Sequence, residues 1–323
     1  MKARFFSPDD AMCWDDFCDR SPAATFLHSR QFLSYHGDKF LDQSIVLEDG
    51  GSWLGVVPAA RHPTEHHIVL SHPGITYGGV LHNGRLYGSG MLLAFEAAAA
   101  LWRTVGLKRL QYKPVPHIYQ SAPAQDDLYA LFRKGAVRYR CDLSSCIDLR
   151  HRLPVAKRRL RAQKKAEQAD VSVTAGHEHL NAVWRVLEEN LLRKHGTKPV
   201  HTVDDMRALV ARFPDKIHVI AATIAGKVES GIVIFLSNAV AHAQYIASSE
   251  QGYKVNALDL IFEVAIERYR SAGKRYFDFG VSTEDQGYKL NDGLNRFKNE
   301  FGAGGVAYEF YEWNFAGDDN AVE

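Results

Sequence analysis

The same order of strands and helices occurs twice along this chain of 323 residues. Each half has a strand hairpin, a third strand, a long apolar helix, another strand, a shorter helix and a last strand. The segment GLKRLQYK at 106–113 aligns with GKRYFDFG at 273–280, and LYALFRKGA at 128–136 aligns with LNRFKNEFGA at 294–303. A repeat on this scale predicts a pseudo-symmetric pair of like-folded domains with a cleft available between them.

Local signals are clearest in the second half of the chain. Apolar residues recur at helical spacing from Leu180 to Leu191, and Gly196 supplies a stop. The Ala225-Gly226 pair joins two strand-like runs as a hairpin turn would. The strongest helix, at 258–272, ends at Gly273. We therefore predict an α/β (α+β) fold with mixed, mostly antiparallel central sheets flanked by helices.

The predicted domains are an N-terminal one at 1–150 and a C-terminal one at 151–323, opened by a basic helix. Hydrophobic residues make up 46% of the chain and charged residues 24%, which excludes wholesale disorder. The N-terminal segment is acidic where a signal peptide needs an apolar core, and the most apolar stretch, 91–102, is too short to span a bilayer. These features predict a cytoplasmic protein without a transmembrane segment.

Two features bear on partners and metals. The formal net charge is +1, so nothing global demands nucleic acid. The four cysteines form two C-x4-C pairs, which lack the tight spacing of a structural zinc site, and we predict free thiols and no metal. Any specificity for charged partners must therefore be local.

One local candidate is the run from Arg150 to Lys165, which contains eight cations and no acid. On a helix several of these cations share a face, where their repulsion is costly unless an anion offsets it. A phosphate-rich partner, such as RNA, a nucleotide-linked sugar or anionic lipid headgroups, would bind Arg158, Arg159 and Arg161. The alternative is a solvated helix that links two domains, and both interpretations stay open.

Motifs near the end of the chain carry a family resemblance. The strand RYFDFG at 275–280, followed by GLNRFKNEFG at 293–302, resembles the C-terminal signature of the Fem-type aminoacyl transferases and of the BioF2-like acetyltransferases. Both belong to the GNAT (acyl-CoA N-acyltransferase) superfamily. The basic segment KRRLRAQKKAEQADVSV and the segment HPGITYGG at 72–79 also have counterparts in these relatives. The resemblance spans roughly residues 25 to 315 and lacks the long helical arm of the bridge-building members.

The resemblance implies transfer of an acyl group, often an aminoacyl group from charged tRNA, to an amine of a cell-envelope precursor. The acceptor would be a peptidoglycan precursor or a nucleotide- or lipid-linked amino sugar of a surface polysaccharide, and peripheral membrane contact stays open. No cofactor is expected to be bound permanently, and the donor is either aminoacyl-tRNA or acetyl/acyl-CoA. Two other functions stay open: an acetyl-CoA-dependent N-acetyltransferase on an amino sugar, and a non-catalytic module that binds RNA or membranes.

The segment 249–257 bears on the choice of donor. A CoA enzyme places a glycine-rich loop here, whose backbone amides hold the pyrophosphate at a helix N-terminus. This segment has one glycine, and bulky Tyr253 and Val255 lie where close backbone approach is needed. The sequence therefore weakens acetyl-CoA as the donor without excluding it.

Acyl transfer to an amine needs a deprotonated nucleophile, a donor for the oxyanion and a path for the proton. Asp278 and Glu284 follow the last central strand and could position or deprotonate an amine, although Asp278 could simply cap a turn. Lys298, among aromatic residues, could face a phosphate or a carbonyl oxygen. The predicted substrate-binding residues, besides the three arginines, are His72, Tyr77, Lys113, Tyr119, Tyr245 and Asn256.

Overall fold

The computed structural model describes residues 1–316. Contacts divide the chain into two compact units. Of residues 1–316, the first unit contains Met1–Asp142, Asp285–Tyr288 and 307–316, and the second contains Leu143–Glu284 and Lys289–Val306. Such a division shows which residues pack together, not which segment folds alone. The sequence-based domain limits, which assign the residues after Ala307 to the second domain, therefore stay a prediction.

Both units contain strands and helices. The strands are β1 (Lys2–Phe5), β2 (Ile45–Asp49), β3 (Ser52–Val57), β4 (Ala60–Arg61), β5 (Ile68–Leu70), β6 (Leu81–His82), β7 (Arg109–Tyr112), β8 (Val137–Asp148), β9 (Ser172–Ala175), β10 (Ile217–Ile224), β11 (Lys227–Leu236), β12 (Val240–Ser248), β13 (Tyr276–Val281), β14 (Thr283–Glu284), β15 (Lys289–Leu290) and β16 (Gly304–Asn314). The helices are α1 (Ala11–Arg20), α2 (Arg30–Leu33), α3 (Ser89–Arg103), α4 (Asp126–Arg133), α5 (Lys157–Gln168), α6 (Leu180–His195), α7 (Val203–Arg212), α8 (Glu250–Lys254), α9 (Ala257–Ser271) and α10 (Asp292–Asn299). No helix among residues 1–316 is both long and apolar enough to cross a bilayer.

The first unit contains two sets of paired strands. One is antiparallel in the order β1-β2-β3-β6. In the other, β5 pairs with β4 on one side and runs parallel to β7 on the other, and β7 pairs with the end of β16. Helix α3 buries its apolar face in the core of this unit, where Phe95, Trp102 and Trp313 pack.

The second unit is built on a sheet in which β9 to β13 are neighbours in the order β13-β12-β11-β10-β9. All these pairs are antiparallel except β12 with β13, which is parallel. Helix α9 buries Ile261, Phe262, Ala265 and Tyr269 against this sheet. Gly273, just after α9, adopts the predicted left-handed conformation with φ 77°.

The predicted repeat is confirmed at the level of strand pairing. In the first unit, Ile68–Leu70 pair in parallel with residues 109–111, and in the second unit, 240–242 pair with 276–278. Both ladders are three residues long. Residues 109–111 and 276–278, the second strands of the two ladders, occupy the same positions in the alignment of 106–113 with 273–280. The two units therefore carry the same parallel pair at equivalent positions.

The segment 249–257, where a CoA enzyme has a glycine-rich loop, contains the short helix α8. The Ser249 side chain caps α8 by accepting a hydrogen bond from the Gly252 backbone N–H at 3.0 Å. Gly252 lies so close to the Ser230 and Ser248 hydroxyls and to the Glu229 carbonyl that a side chain there would collide with them. The single glycine of this segment therefore serves packing between α8 and the sheet.

Candidate active site in the second unit

The candidate site begins where the two parallel strands of the second unit separate. Their ladder ends at the pair His242 and Asp278. Strand β12 continues to Ser248 with β11 on its other side. Among residues 1–316, no strand pairs with the free side of β12 beyond His242. The separation therefore leaves a wedge with one edge of backbone amide and carbonyl groups that an extended acyl donor could pair with.

Two irregularities in the strands produce this wedge. The register between β11 and β12 shifts so that Gln244 is an extra residue in β12. The register between β13 and β8 shifts after Asp278, and Gly280 adopts φ 77°, a conformation that favours glycine. Bulges bend a strand away from its neighbour, so both strands leave the ladder at the same level.

Asp278 lies at the apex of the wedge and has no exposed surface. Its carboxylate accepts hydrogen bonds from the Ser144 hydroxyl at 2.5 Å and from His242 Nδ1 at 2.8 Å. The Gly280 backbone N–H donates to the same carboxylate at 3.2 Å. Asp278 therefore caps the turn at Gly280, as the alternative interpretation of this residue predicted. It also binds His242, which the sequence analysis did not select.

Lys298 reaches the same apex from helix α10. Asn291 caps this helix by accepting a hydrogen bond from the Leu294 N–H. Phe297 and Phe301 anchor the helix by packing on Phe262, which directs Lys298 inward. Hydrophobic anchoring of α10 thus fixes the position of a lysine that is only 3% exposed.

The Lys298 ammonium donates to the backbone oxygens of Gly280 at 2.9 Å and Val281 at 2.7 Å. Burial lowers its pKa to about 8, while the nearby Asp278 carboxylate raises it. At pH 7 the side chain therefore remains mostly cationic. An ammonium has three N–H donors, so one beyond these two bonds can serve a developing oxyanion.

Glu284 lies outside this cluster. It belongs to β14, its side chain is 46% exposed, and it pairs with Lys289 of β15 at 2.7 Å. Asn291 also donates to it. The structure thus brings Asp278 and Lys298 together around Gly280, whereas Glu284 is held in an exposed hairpin, and its catalytic role stays a prediction.

The N-terminus of helix α9 is where a CoA enzyme would hold pyrophosphate. Asp259 lies in the first turn of α9, is buried, and forms an ion pair with Arg159 at 2.7 Å. Burial raises the pKa of Asp259 to about 6, and Arg159 opposes this shift. The positive end of the helix dipole therefore already has an internal carboxylate beside it.

The basic helix α5 is partly neutralised by acids distant in sequence. Arg158 pairs with Glu300, and Arg159 pairs with Glu300 and Asp259 while lying over the Phe297 ring. Arg161 is exposed and contacts the Lys157 backbone oxygen. The predicted repulsion is thus offset within the chain for Arg158 and Arg159, because α9 and α10 supply acids that the local sequence does not show. Their substrate-binding role, like that of Arg161, stays a prediction.

In the first unit, His72 lines a cavity of about 630 Å³ together with Arg30, His36, Phe40 and Asp42. Its ring is neutral at pH 7, because burial lowers its pKa to about 3. Lys113 donates to the backbone oxygens of His72 and Ile75, and burial lowers the pKa of this lysine to about 7. His72 and Lys113, both predicted to bind substrate, are therefore in direct contact.

The predicted tyrosines are buried in hydrogen-bonded positions. Tyr77 packs on Tyr119, and the hydroxyls of Tyr119 and Tyr308 lie 2.9 Å apart. In the second unit, Tyr245 bonds His201, and burial raises the pKa of Tyr245 to about 12. Asn256 immediately precedes α9 in the left-handed conformation, with φ 60°. Substrate contact by Tyr77, Tyr119, Tyr245 and Asn256 stays a prediction.

His242 is the residue that sequence reasoning missed. It is one of fifteen histidines and lies in no recognised motif. A signal was present in the repeat itself, because the equivalent of the His242 and Asp278 pair in the first unit is Leu70 and Gln111. His242 thus replaces an apolar residue at this point of the repeat, whereas Asp278 and Gln111 are both polar.

Comparison with known proteins agrees with this architecture. Residues 150–290 match the family model described as the acetyltransferase (GNAT) domain. No curated protein sequence matches the chain at a significant level. Among solved structures, FemX superposes with a TM-score of 0.69 at 10% identity, covering 98% of each chain. L-PGS from Bacillus licheniformis gives a TM-score of 0.63 at 13% identity, covering 95% of this chain and 91% of that one.

A tandem GNAT protein from the clavulanic acid biosynthesis pathway has the same kind of fold, with a TM-score of 0.54 at 15% identity, covering 98% of this chain and all of that one. At these identities the superpositions concern the fold. The family match covers the wedge, with His242 and Asp278, and stops just before Lys298. The resemblance to the GNAT superfamily that the sequence motifs indicated is thereby confirmed for residues 150–290, and the fold of the chain is similar to that of FemX.

Proposed function

We propose that this enzyme transfers an aminoacyl group from charged tRNA to an amine of a cell-envelope precursor. The acceptor class is a peptidoglycan precursor or a nucleotide- or lipid-linked amino sugar. The fold is similar to that of FemX and to the C-terminal domain of a putative lysylphosphatidylglycerol synthetase from Agrobacterium fabrum. The second protein is named for a lysyl group on a membrane lipid, which supports aminoacyl transfer to an envelope component.

The state of the α9 N-terminus is the observation that carries the choice of donor. A CoA pyrophosphate needs free backbone amides and a positive helix end. Here Asp259 occupies that end and is itself paired with Arg159. A pyrophosphate at this point would meet a buried carboxylate, which is unfavourable for two anions. An aminoacyl ester of tRNA does not require a pyrophosphate site at the N-terminus of α9.

The wedge supplies what the chemistry requires. The free edge of β12 can pair with the donor backbone, and Lys298 can stabilise the oxyanion that forms when the amine attacks the ester carbonyl. The exposed cations of α5, among them Arg161 and Lys164, offer phosphate contacts for a tRNA acceptor end.

The test is a transfer assay with two donors in parallel. Total tRNA charged with labelled amino acids, or acetyl-CoA, is incubated with the protein and with a UDP-linked peptidoglycan precursor or glucosamine. Mass spectrometry of the acceptors should show an aminoacyl increment that depends on charged tRNA. Lys298→Met should abolish the increment, and Lys108→Met, which alters an exposed lysine of the first unit, should preserve most of it.

Calorimetry with CoA gives the complementary result. We expect no binding at micromolar CoA. Micromolar affinity together with an acetyl increment from acetyl-CoA would refute the proposed donor and establish the N-acetyltransferase instead.

A further inference from the structure

We propose that His242 is the general base of the transfer reaction and that Asp278 positions it. This inference rests on the proposed function and names a catalytic residue for it. The pair lies at the last rung of the parallel ladder, directly beneath the open wedge. The two residues therefore mark the point at which the wedge opens.

The hydrogen bond between the pair defines which nitrogen is available. His242 Nδ1 lies 2.8 Å from the Asp278 carboxylate, which also accepts from Ser144 and Gly280. A buried carboxylate fully engaged by donors favours the tautomer with the proton on Nδ1. Nε2 then carries a lone pair that can accept a proton.

Exposure separates the roles of the two residues. The Asp278 side chain is 0% exposed, whereas that of His242 is 13% exposed. The His242 side chain therefore has solvent-accessible surface, whereas the Asp278 side chain has none. Gly280 lies beside the ring, since a Cβ built on it would be 3.4 Å from His242 Cε1. The glycine keeps space for a substrate atom next to the imidazole.

The other titratable groups near the pair have different roles. Lys298 bonds the carbonyls of Gly280 and Val281 and interacts with Asp278, so it remains a cation beside the dyad. The buried Cys146 thiol faces Asp278 across the β8–β13 pairing, and its pKa is raised by burial. Cys146 is therefore a thiol at neutral pH and does not compete as a base.

The repeat offers an internal comparison. In the first unit the equivalent rung carries Leu70 and Gln111, and Gln111 donates to Glu312. An aliphatic side chain cannot accept a proton. The strand ends there are also bridged by the chain itself, because Lys113 N–H donates to the Ser71 hydroxyl and Gly78 N–H donates to the Lys113 carbonyl. The second unit therefore has an open wedge with a histidine at its apex. In the first unit, hydrogen bonds within the chain close the corresponding gap.

The proposed step balances as follows. The acceptor enters as an ammonium, His242 Nε2 takes one proton from its nitrogen, and the neutral amine then attacks the ester carbonyl carbon to form a C–N bond. The oxyanion formed on the carbonyl oxygen lies near the Lys298 ammonium. When the intermediate collapses, the C–O bond to the tRNA ribose breaks, protonated His242 gives its proton to the leaving oxygen, and the nitrogen releases one further proton to solvent. The products are the amide and the free 3′ end of tRNA.

The first measurement needs no substrate. Nitrogen-15 NMR of histidine-labelled protein, with the His242 signal assigned by its loss in His242→Gln, should show the Nδ1-protonated tautomer. Asp278→Asn should change the tautomer equilibrium or the chemical shift of Nδ1. Circular dichroism and thermal unfolding establish that each variant is folded. A His242 ring protonated on Nε2 in the wild type would overturn the assignment.

The second measurement compares two amines as acceptors for the charged tRNA donor. Ethylamine enters mostly protonated at pH 7, whereas hydroxylamine is neutral. His242→Gln should lower the rate with ethylamine by about 100-fold or more, which is the usual contribution of a general base. The loss with hydroxylamine should be much smaller. The matched control is His218→Gln on β10, whose ring bonds the Tyr269 hydroxyl and should leave both rates unchanged.

The outcomes separate this inference from the proposed function. If the wild type transfers and His242→Gln is equally active, or loses the same factor with both amines, then His242 is not the general base and the function stands. If the wild type transfers nothing from any charged tRNA, the proposed function fails and this inference fails with it.

Discussion

Replacing Lys298 with methionine should separate the chemical role of this lysine from its effect on stability. Methionine has nearly the same length but no charge and no N–H donor. We expect acyl transfer to be lost, because the oxyanion loses its cationic partner. We also expect the protein to stay folded, since Phe297 and Phe301 continue to anchor α10.

The lowered pKa of Lys298 gives the expected change in the free energy of unfolding. A fall from 10.5 to about 8 means that keeping this lysine charged in the folded state costs about 3 kcal/mol. Methionine removes this cost but leaves the Gly280 and Val281 carbonyls without their donor, at roughly 1 kcal/mol each. The two effects nearly cancel at pH 7, so the variant should be as stable as the wild type or about 1 kcal/mol more stable.

The free energy needed to keep Lys298 charged in the folded state depends on pH. Below pH 8 the lysine is protonated in both the folded and the unfolded state, and the full cost is present. Between pH 8 and pH 10.5 the folded state releases its proton first, so the unfolded state binds more protons and stability rises with pH. From pH 7 to pH 9.5 this contribution amounts to about 2 kcal/mol in the wild type and is absent from Lys298→Met.

Urea unfolding of both proteins at pH 7 and pH 9.5 measures the difference directly, because other titrating groups contribute equally to both. Lys164→Met, at an exposed position of α5, should follow the wild type at both pH values. Parallel stability curves for the wild type and Lys298→Met would refute the view that Lys298 is buried as a cation.

Three further predictions concern the surroundings of the site. Gly252→Ala should lower the free energy of unfolding by about 1–3 kcal/mol, because its Cβ would collide with Ser230 and Ser248. Gly304→Ala, with ordinary contact distances, should change it little in the same thermal unfolding experiment. Arg159→Leu should cost about 3 kcal/mol in urea unfolding, because it leaves buried Asp259 unpaired, and the added change Asp259→Leu should recover most of that loss. A double variant as unstable as the single one would contradict this explanation. Arg161→Glu with Lys164→Glu should weaken tRNA binding and flatten its dependence on salt, as measured by filter binding, while circular dichroism remains unchanged. Unaltered tRNA affinity would exclude α5 as a phosphate-binding surface.

The sequence predicted the features that depend on local signals. Gly196 and Gly273 end their helices in the left-handed conformation. The Ala225-Gly226 hairpin has positive φ at both residues. In each case the information lies within a few residues, so reading the chain in order is sufficient.

The features that the sequence did not predict depend on strand register and on contacts over long separations. His242 meets Asp278 because two strands pair in one register, and a shift by one residue would turn the side chains to the opposite face. Arg159 meets Asp259 across 100 positions of sequence. Sequence patterns identified Lys298 and Asp278 through a family motif, but no pattern connected His242 to them.

The central claim is that transfer takes place in the wedge of the second unit, and photo-cross-linking tests it most directly. A tRNA charged with a photoreactive amino acid is bound to the wild-type protein and irradiated, and the modified peptide is identified by mass spectrometry. The account predicts labelling within 242–248 or 278–281, with loss of the label when free charged tRNA competes. Labelling confined to the cavity around His72 in the first unit would contradict it.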